Sequence, residues 1–214
     1  SQHPLPPTEL KSVEFLENGP IQWRIRVIRR LGSSTFCQDY ILQISSPILT
    51  INTTVDWQED HILLKANFPL RLTSDHATYE IPFAAIERPT RPTNPAEQAK
   101  WEVPALRWAD LTDDQQNYGI SLLNNCKYGY DSTGDNLRLT LLRSPRWPDP
   151  NCDRGEHNFT YAIYPHLGSW QTSQTVHRGY ELNTPLQVLM IESSVGQVIG
   201  DRKSTRLNSS HLVI

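Results

Sequence analysis

Apolar side chains recur at every second position in segment after segment of this chain. In the first such segment, Ile21, Trp23, Ile25 and Val27 alternate with polar or charged neighbours. The pattern returns at Tyr79, Ile81 and Phe83, at Tyr118, Ile120 and Leu122, at Leu137, Leu139 and Leu141, and at Phe159, Tyr161 and Ile163. A period of two is typical of strands with one buried face. The chain is therefore predicted to be a sheet protein of the all-β class.

Two turn signals refine this prediction. Residues 132–136 (STGDN) separate two apolar runs, and Gly134 can adopt the positive φ that closes a hairpin. The flanking segments, 128–131 and 137–142, are therefore predicted to be adjacent antiparallel strands. Pro82 has no amide hydrogen to donate, so its segment is expected at a sheet edge or at a bulge.

One helix and one long loop are expected between the strands. Ser169 is a candidate N-cap for a short helix over residues 170–182, which Pro185 would stop. Residues 86–104 contain four prolines and few apolar positions, which predicts a long surface loop with a short helical turn near residues 96–100.

Charge and composition restrict the partners. The 214 residues contain 20 Lys and Arg against 23 Asp and Glu, a net charge of −3 that offers no positive field to nucleic acid. No apolar run approaches the roughly 20 residues that cross a bilayer, so no membrane association is expected. Three cysteines, Cys37, Cys126 and Cys152, read as thiols of a reducing compartment, which predicts a cytoplasmic protein.

A series of longer motifs occupies residues 55–166. In chain order they are VDWQEDHILLKANFPL, YEIPFAAIERPT, KWEVPALRWADL, YGISLLNNCKYGYD and LRLTLLRSPRWPDPNCDRGEHNFTYAIYPH. Together they resemble the C-terminal all-β region of family 38 glycoside hydrolases, the α-mannosidases. The resemblance implies a large antiparallel β-sandwich of the galactose-mutarotase-like type over residues 1–200, truncated at both ends.

The same resemblance implies a function. In that family a zinc ion and two aspartates sit in an N-terminal catalytic domain that hydrolyses terminal α-mannosides with retention of configuration. None of those residues can be matched here, so the chain is expected to have no catalytic residues, no cofactor and no activity alone. It would be an accessory domain that packs on the catalytic domain and lends loops to a site for α-mannoside oligosaccharides. The alternatives are a free-standing carbohydrate-binding module and a purely structural interaction domain.

The last segment, residues 201–214 (DRKSTRLNSSHLVI), reads like translated sequencing-adapter DNA. It is expected to be non-native and to take no part in the fold.

Two segments are the best candidates for bordering the sugar site of the parent. Residues 124–131 (NNCKYGYD) and 153–157 (DRGEH) each follow or precede an apolar strand and combine a glycine with polar and aromatic groups. The candidate substrate-binding residues are Lys127, Tyr128, Tyr130 and Arg154, and Asn125 and His157 are the second choice. The competing interpretation is that these side chains fix loops and the interface with the catalytic domain.

The acidic clusters, the possible metal ligands and the tryptophans are expected to have structural roles. Carboxylates cluster at Asp110, Asp113 and Asp114 and at Asp153 and Glu156, but loop acids mostly cap turns, and Asp110 is expected to bond turn amides. Cys152, Asp153, His157 and His166 lack the spacing of a zinc site, so no metal is expected. Of Trp101, Trp108, Trp147 and Trp170, at most one is expected to be exposed as a stacking platform.

Overall fold

The structure is a computed structural model that describes residues 8–186. The first seven strands are β1 (Glu9–Asn18), β2 (Gln22–Leu31), β3 (Ser34–Gln43), β4 (Leu49–Trp57), β5 (Leu64–Pro69), β6 (His76–Ile81) and β7 (Ala84–Pro89). After the helix α1 (Pro95–Gln98) come β8 (Val103–Pro104), β9 (Trp108–Asp113), β10 (Tyr118–Asn124), β11 (Gly129–Thr133), β12 (Asn136–Leu142), β13 (Gly155–Leu167) and the helix α2 (Thr175–Asn183).

These strands form two sheets that pack face to face. The larger sheet has nine strands in the order β1-β2-β3-β4-β13-β10-β9-β6-β7, and the smaller has four in the order β5-β12-β11-β8. Each pair of neighbouring strands is antiparallel. The prediction of an all-β, antiparallel sandwich is confirmed.

The main core lies between the two sheets because each strand turns its apolar alternate positions inward. Aromatic rings bridge the layers: Tyr79 of β6 meets Tyr130 of β11, and Phe68 of β5 meets Tyr161 of β13, both with centroids 6.2 Å apart. The largest fully buried side chains of this core include Trp57, Tyr130, Ile51, Leu111, Leu122, Leu137 and Leu139.

A second, smaller core covers the other face of the large sheet. It contains Trp108, Leu123 and Tyr164, and the segment ending in α2 closes it with Trp170, whose ring centroid lies 5.0 Å from that of Trp108. Gly179 makes the close approach possible, since a Cβ there would lie 3.1 Å from Trp108 Cδ1. The middle of the large sheet is thus covered on both faces.

The predicted hairpin is confirmed. Strand β11 pairs with β12 in antiparallel register, with Thr133 opposite Asn136, and Gly134 has a φ of 62°. The short helical turn near residues 96–100 is also present: α1 starts at Pro95, and the Asn94 side chain accepts a 2.9 Å hydrogen bond from Glu97 N.

Three boundaries differ from the expectations. The predicted helix 170–182 begins only at Thr175, because Ser169 O accepts bonds from the amides of Thr172 and Ser173 and holds a turn there. The predicted loop 86–104 is limited to residues 90–102, since β7 and β8 pair with β6 and β11. Pro82 lies in the turn between β6 and β7 and not within a strand.

The adapter-like segment 201–214 lies outside the described residues, as do positions 1–7 and 187–200 of the predicted domain. Of the two helices found between residues 8 and 186, neither has the length and apolar character needed to span a membrane.

Candidate functional site

The first candidate segment crosses from one sheet to the other between β10 and β11. Asn124, at the end of β10, is buried and organises the crossing: its Oδ1 accepts bonds from the amides of Cys126 (2.9 Å) and Lys127 (2.5 Å). Its Nδ2 donates to Leu106 O at 3.0 Å and to the Tyr130 hydroxyl. The turn is therefore fixed from within, and residues 125–128 are held in a defined conformation at one end of the sandwich.

Three of the candidate side chains in this turn reach the surface. Tyr128 is 61% exposed, and Asn125 is exposed although its backbone N–H and side-chain oxygen bond to Thr160 of β13 at 3.1 and 3.0 Å. Lys127 is half-buried, with its Nζ 4.4 Å from the centroid of the Phe159 ring. Burial lowers the pKa of Lys127 below its ordinary value.

Tyr130 lies elsewhere. It is completely buried against Tyr79, and burial raises the pKa of its hydroxyl. A side chain with no exposed surface cannot contact a saccharide, so this structure gives Tyr130 a role in the core. The prediction that Tyr130 binds substrate is therefore wrong, and it rests on the polar residues that surround this tyrosine in the sequence.

Arg154 and His157 serve the loops at the start of β13. Arg154 Nη2 bonds to Asp60 Oδ2 at 2.6 Å, and Arg146 pairs with the same carboxylate. Hydrogen bonds from Arg146 and then from Arg154 lower the pKa of Asp60 to about 2. His157 Nε2 lies 2.7 Å from Asp153 O. Both candidates therefore already hold protein partners, as the competing structural interpretation expects.

A surface cleft adjoins the exposed part of the turn. One compartment of about 200 Å³ is lined by Leu106, Arg107, Asn124, Asn125, Cys126, Tyr128 and Asn183. A second compartment of about 600 Å³ shares Leu106 and Arg107 with it and extends along α2 to the turn between β6 and β7. Asn125 and Tyr128 thus open into one end of a longer cleft.

Arg107 stands between the two compartments. Its guanidinium pairs with the buried Glu80 carboxylate, which also accepts the Arg107 N–H at 2.7 Å and raises the pKa of the arginine. The guanidinium carbon lies 3.8 Å from the centroid of the Tyr180 ring. This stack presents a flat, fixed surface of planar polar and aromatic groups, which suits either a sugar ring or an apolar partner surface.

The far end of the cleft carries the most exposed aromatic side chain of residues 8–186. Phe83 is 110% exposed and has a φ of 61°, a backbone conformation that disfavours large side chains. Tyr180 and Val176 of α2 line the same compartment and are 50% and 38% exposed. This group is not evident from the sequence, because the alternation at Tyr79, Ile81 and Phe83 predicts a strand running through Pro82.

Carboxylates in the candidate clusters have structural partners. Asp110 does not bond turn amides, as was expected, but lies buried within β9 and bonds to His166, Ser121 and Thr112. Asp113 takes the expected role instead, accepting amides that include those of Thr73, Gln115 and Gln116.

The second acid cluster has a similar outcome. Asp153 accepts the amides of Arg143 and Ser144 at 3.1 and 2.9 Å and so closes the loop before β13. Among residues 8–186, no three His, Cys, Asp or Glu side chains are grouped so as to hold a metal ion. The expectation for tryptophan was wrong, because both Trp101 (61%) and Trp147 (85%) are mostly exposed.

Comparison with known proteins places this geometry in a wider context. Residues 1–151 match the family model described as the glycosyl hydrolases family 38 C-terminal domain. Alpha-mannosidase 2C1 of Mus musculus is 44% identical over 157 residues, covering 73% of this chain and 15% of that protein. Alpha-mannosidase G of Dictyostelium discoideum is 41% identical over 175 residues, covering 79% and 16%. The chain therefore spans about 15% of the length of these curated relatives.

A solved structure shares the fold. The crystal structure of an alpha-mannosidase from Enterococcus faecalis matches with a TM-score of 0.72 at 16% identity, over 81% of this chain and 24% of that chain. At this identity the likeness concerns the fold alone.

Proposed function

The chain belongs to the glycosyl hydrolases family 38 C-terminal domain family, and we propose that it is the accessory β domain of an α-mannosidase. The family match over residues 1–151 is the observation that carries the proposal. Relatives more than 40% identical bear the name alpha-mannosidase, which supports terminal α-mannosides as the substrate of the complete protein. Hydrolysis with retention would be performed by a catalytic domain outside these residues.

Within that protein the domain would pack against the catalytic domain and lend a loop to the sugar site. The cleft supports this role, because its exposed Phe83 and Tyr180 offer apolar contact area at one end. Asn125 and Tyr128 at the other end offer hydrogen-bonding groups and a ring on a turn that Asn124 holds rigid, and Lys127 lies on the same turn outside the cleft lining. Arg154 and His157 would hold the loops at the start of β13, through their contacts with Asp60 and with Asp153 O.

Zinc belongs to the proposal for the complete protein only. The donor sets between residues 8 and 186 do not fit a zinc ion, since no suitable group of three ligands occurs there.

A cytoplasmic location is part of the same proposal. Cys37, Cys126 and Cys152 are all free thiols, which is the usual state in a reducing compartment. The alternative of a free-standing carbohydrate-binding module is not favoured, because the relatives carry this region as a small part of a long enzyme.

The proposal is tested by comparing the 214-residue chain with the complete protein on 4-nitrophenyl α-mannoside. The complete protein should hydrolyse it and the 214-residue chain should not. Turnover by the 214-residue chain alone would show that this region is not an accessory domain.

The loop's part in the sugar site is tested in the complete protein with Tyr128→Ala. We expect kcat/KM to fall about tenfold, which corresponds to about 1.4 kcal/mol of transition-state stabilisation. Leu167→Ala is the matched control, since Leu167 is also exposed. It is the last residue of β13, whereas the turn that carries Tyr128 bonds to Thr160 of that strand through Asn125. Unchanged kinetics and unchanged stability in Tyr128→Ala would exclude a contact between this loop and the substrate.

A further inference from the structure

The loop between β12 and β13, residues 143–154, carries a tryptophan on its surface. Trp147 is 85% exposed, and the rest of the loop consists of arginine, serine, proline, aspartate, asparagine and cysteine. The aromatic anchors of protein interfaces are usually surrounded by other well-packed contacts, whereas this loop offers the indole no second large apolar side chain. A lone ring with hydrogen-bonding groups around it suits a ligand that has both C–H faces and hydroxyls, as a pyranose has.

The loop is held rigidly from below. Ser144 is buried, its hydroxyl accepts a hydrogen bond from the Trp57 indole N–H, and its carbonyl accepts the amide of His61 at 2.9 Å. At the other end Asp153 Oδ2 accepts the amides of Arg143 and Ser144 at 3.1 and 2.9 Å. Both ends of the loop are thus tied to each other and to the core, so little conformational entropy remains to be lost when a ligand binds to Trp147.

The backbone around the loop is strained. Three residues other than glycine have a positive φ there, His61 (56°), Ser144 (49°) and Asp153 (64°), which is half of such residues between positions 8 and 186. A conformation of this kind costs free energy and persists only where the surrounding structure imposes it, and such residues concentrate at ligand sites. The strain is therefore a second, independent sign that this loop serves a function.

Arg146 brings hydrogen-bond donors next to the indole. It directly precedes Trp147, and its guanidinium pairs with Asp60 Oδ2, while Arg154 Nη2 lies 2.6 Å from the same oxygen. The Arg146 side chain nevertheless stays 56% exposed. Among residues 8–186 its guanidinium bonds to Asp60 through one nitrogen, and the other N–H groups of this five-donor group can reach the hydroxyls of a ligand.

The loop lies beside the turn that the proposed function assigns to the sugar site. Strand β11 pairs with β12 so that Tyr130 faces Leu139, and three positions further the same register brings Lys127 next to Leu142, the last residue of β12. The end of the loop is close as well: burial lowers the pKa of Lys127, and the charge of Asp153 is among those that oppose this shift. Turn and loop therefore share one end of the sandwich.

The other mostly exposed tryptophan lies away from this end. Trp101 is 61% exposed and precedes β8, which pairs antiparallel with β11 and has Pro104 opposite Gly129. Strand β8 thus runs towards the turn, and Trp101, which comes before it, is on the far side. Of these two rings, only Trp147 is placed to meet a sugar that also touches the turn.

We propose that Trp147 is the platform on which the complete protein stacks one ring of an α-mannoside oligosaccharide, with Arg146 donating to the hydroxyls of that ring. This rests on the proposed function, in which the reacting groups belong to a catalytic domain outside these residues. The ring that meets Trp147 is therefore one beyond the glycosidic bond being cleaved. Contacts with a remote part of the substrate select long substrates over short ones, so Trp147 determines specificity.

The test compares two substrates of the complete protein, α-mannobiose, which has a second ring, and α-mannosyl fluoride, which has none. Trp147→Ala should lower kcat/KM about tenfold on α-mannobiose and less than about twofold on the fluoride, because only the disaccharide loses a contact. Trp147→Phe keeps a ring and should recover most of the loss. Trp101→Ala is the matched control and should change neither value, since it removes an exposed indole away from the turn.

The contact itself is measured by fluorine NMR of the complete protein labelled with fluorotryptophan. The resonance of Trp147, assigned with Trp147→Phe, should shift when thio-linked α-mannobiose is added, because this analogue binds without being cleaved. The resonance of Trp101 should stay in place.

The outcomes separate this inference from the proposed function. Equal losses on both substrates, together with a lower thermal midpoint in Trp147→Ala, would assign the ring to the contact between the domains and overturn the inference. Cleavage of both mannosides without a shift of the Trp147 resonance would also overturn it and leave the proposed function standing. A shift in a complete protein that cleaves neither mannoside would support the sugar contact and refute the proposed function, and neither shift nor cleavage would refute both.

Discussion

The imidazole Nε2 of His166 lies 2.8 Å from the Oδ2 of Asp110, with both side chains only 1% exposed. Asp110 belongs to β9 and His166 to β13, on either side of β10 in the large sheet. Ser121 of β10 donates to the same carboxylate and lies 2.7 Å from the Thr175 hydroxyl at the start of α2. One buried polar network therefore joins three strands to the helix that covers them.

Replacing Asp110 should destabilise the chain strongly. In Asp110→Asn the three donors around the carboxylate lose a charged acceptor in a site that water does not reach, and the loss of hydrogen bonds to a buried charged group costs about 1–3 kcal/mol. Urea unfolding would measure the loss. Asp114→Asn is the matched control, because Asp114 is exposed on the following turn and should change stability by less than about 0.5 kcal/mol. Equal effects of the two substitutions would contradict the role given to the network.

The same network depends on a glycine. A Cβ at Gly119 would lie 2.8 Å from the Thr112 hydroxyl and even closer to the His166 ring, both of them held by Asp110. Gly119→Ala should therefore lower the free energy of unfolding by about 1–3 kcal/mol. Gly19→Ala, where the nearest atom is 3.9 Å away, should leave the thermal midpoint unchanged. A neutral Gly119→Ala would mean that the His166 ring can move without cost.

Local sequence signals predicted a part of the local structure. Period-two alternation located five of the thirteen described strands, β2, β6, β10, β12 and β13, and Gly134 located the β11–β12 hairpin, because both signals depend only on neighbouring residues. Strand order could not be predicted in this way: β13 pairs with β4 and β10, and the β4 pairing joins residues about 100 positions apart. Asp110 and His166 meet only because that order puts β9, β10 and β13 side by side.

The candidate site shows the same division. The turn that carries Asn125, Lys127 and Tyr128 was predicted from its polar composition, and it does reach the surface. Tyr130 was misjudged because its position in the core depends on which sheet faces β11. The cleft around Arg107 could not be predicted, since its walls come from β6, β7, the segment before β9 and α2, which the fold alone brings together.

Asp60 should titrate far below an ordinary aspartate. Its pKa of about 2, against an ordinary 3.8, follows from hydrogen bonds with Arg146 and Arg154. A carboxyl with a lower pKa in the folded chain binds fewer protons there, so its stabilising contribution is complete above about pH 4 and is lost as the pH falls towards 2. Carbon-detected NMR titration would measure the midpoint. Arg146→Gln should raise it more than Arg154→Gln, and an unchanged midpoint in both would contradict the pairing.

Lys127 should reduce the stability of the chain. Burial lowers its pKa, and no carboxylate among the described residues lies within ion-pair distance of its Nζ. The folded chain then binds fewer protons than the unfolded one, so stability should rise with pH from the lowered pKa towards 10.5.

Lys127→Met is therefore expected to preserve or increase the free energy of unfolding, measured at pH 7 with urea. Lys65→Met is the control and should lower the free energy of unfolding, because Lys65 pairs with Asp131 at 2.5 Å and with Glu102 at 2.9 Å. A side chain that costs stability is a good candidate for function. In the complete protein Lys127→Met should lower kcat/KM, and unchanged kinetics would remove Lys127 from the proposed sugar site.

Phe83 offers a test of docking in which the sign of the effect depends on context. Its ring is fully exposed and its φ is 61°, a conformation that asparagine adopts more readily than phenylalanine or alanine. In the 214-residue chain, Phe83→Asn should raise the free energy of unfolding by up to about 1 kcal/mol relative to Phe83→Ala, which removes the same ring. In the complete protein both substitutions should lower the thermal midpoint, because they remove the ring that would pack against the catalytic domain. If Phe83→Asn raised the thermal midpoint of the complete protein as well as the stability of the 214-residue chain, the cleft beside α2 would not be the contact between the two domains.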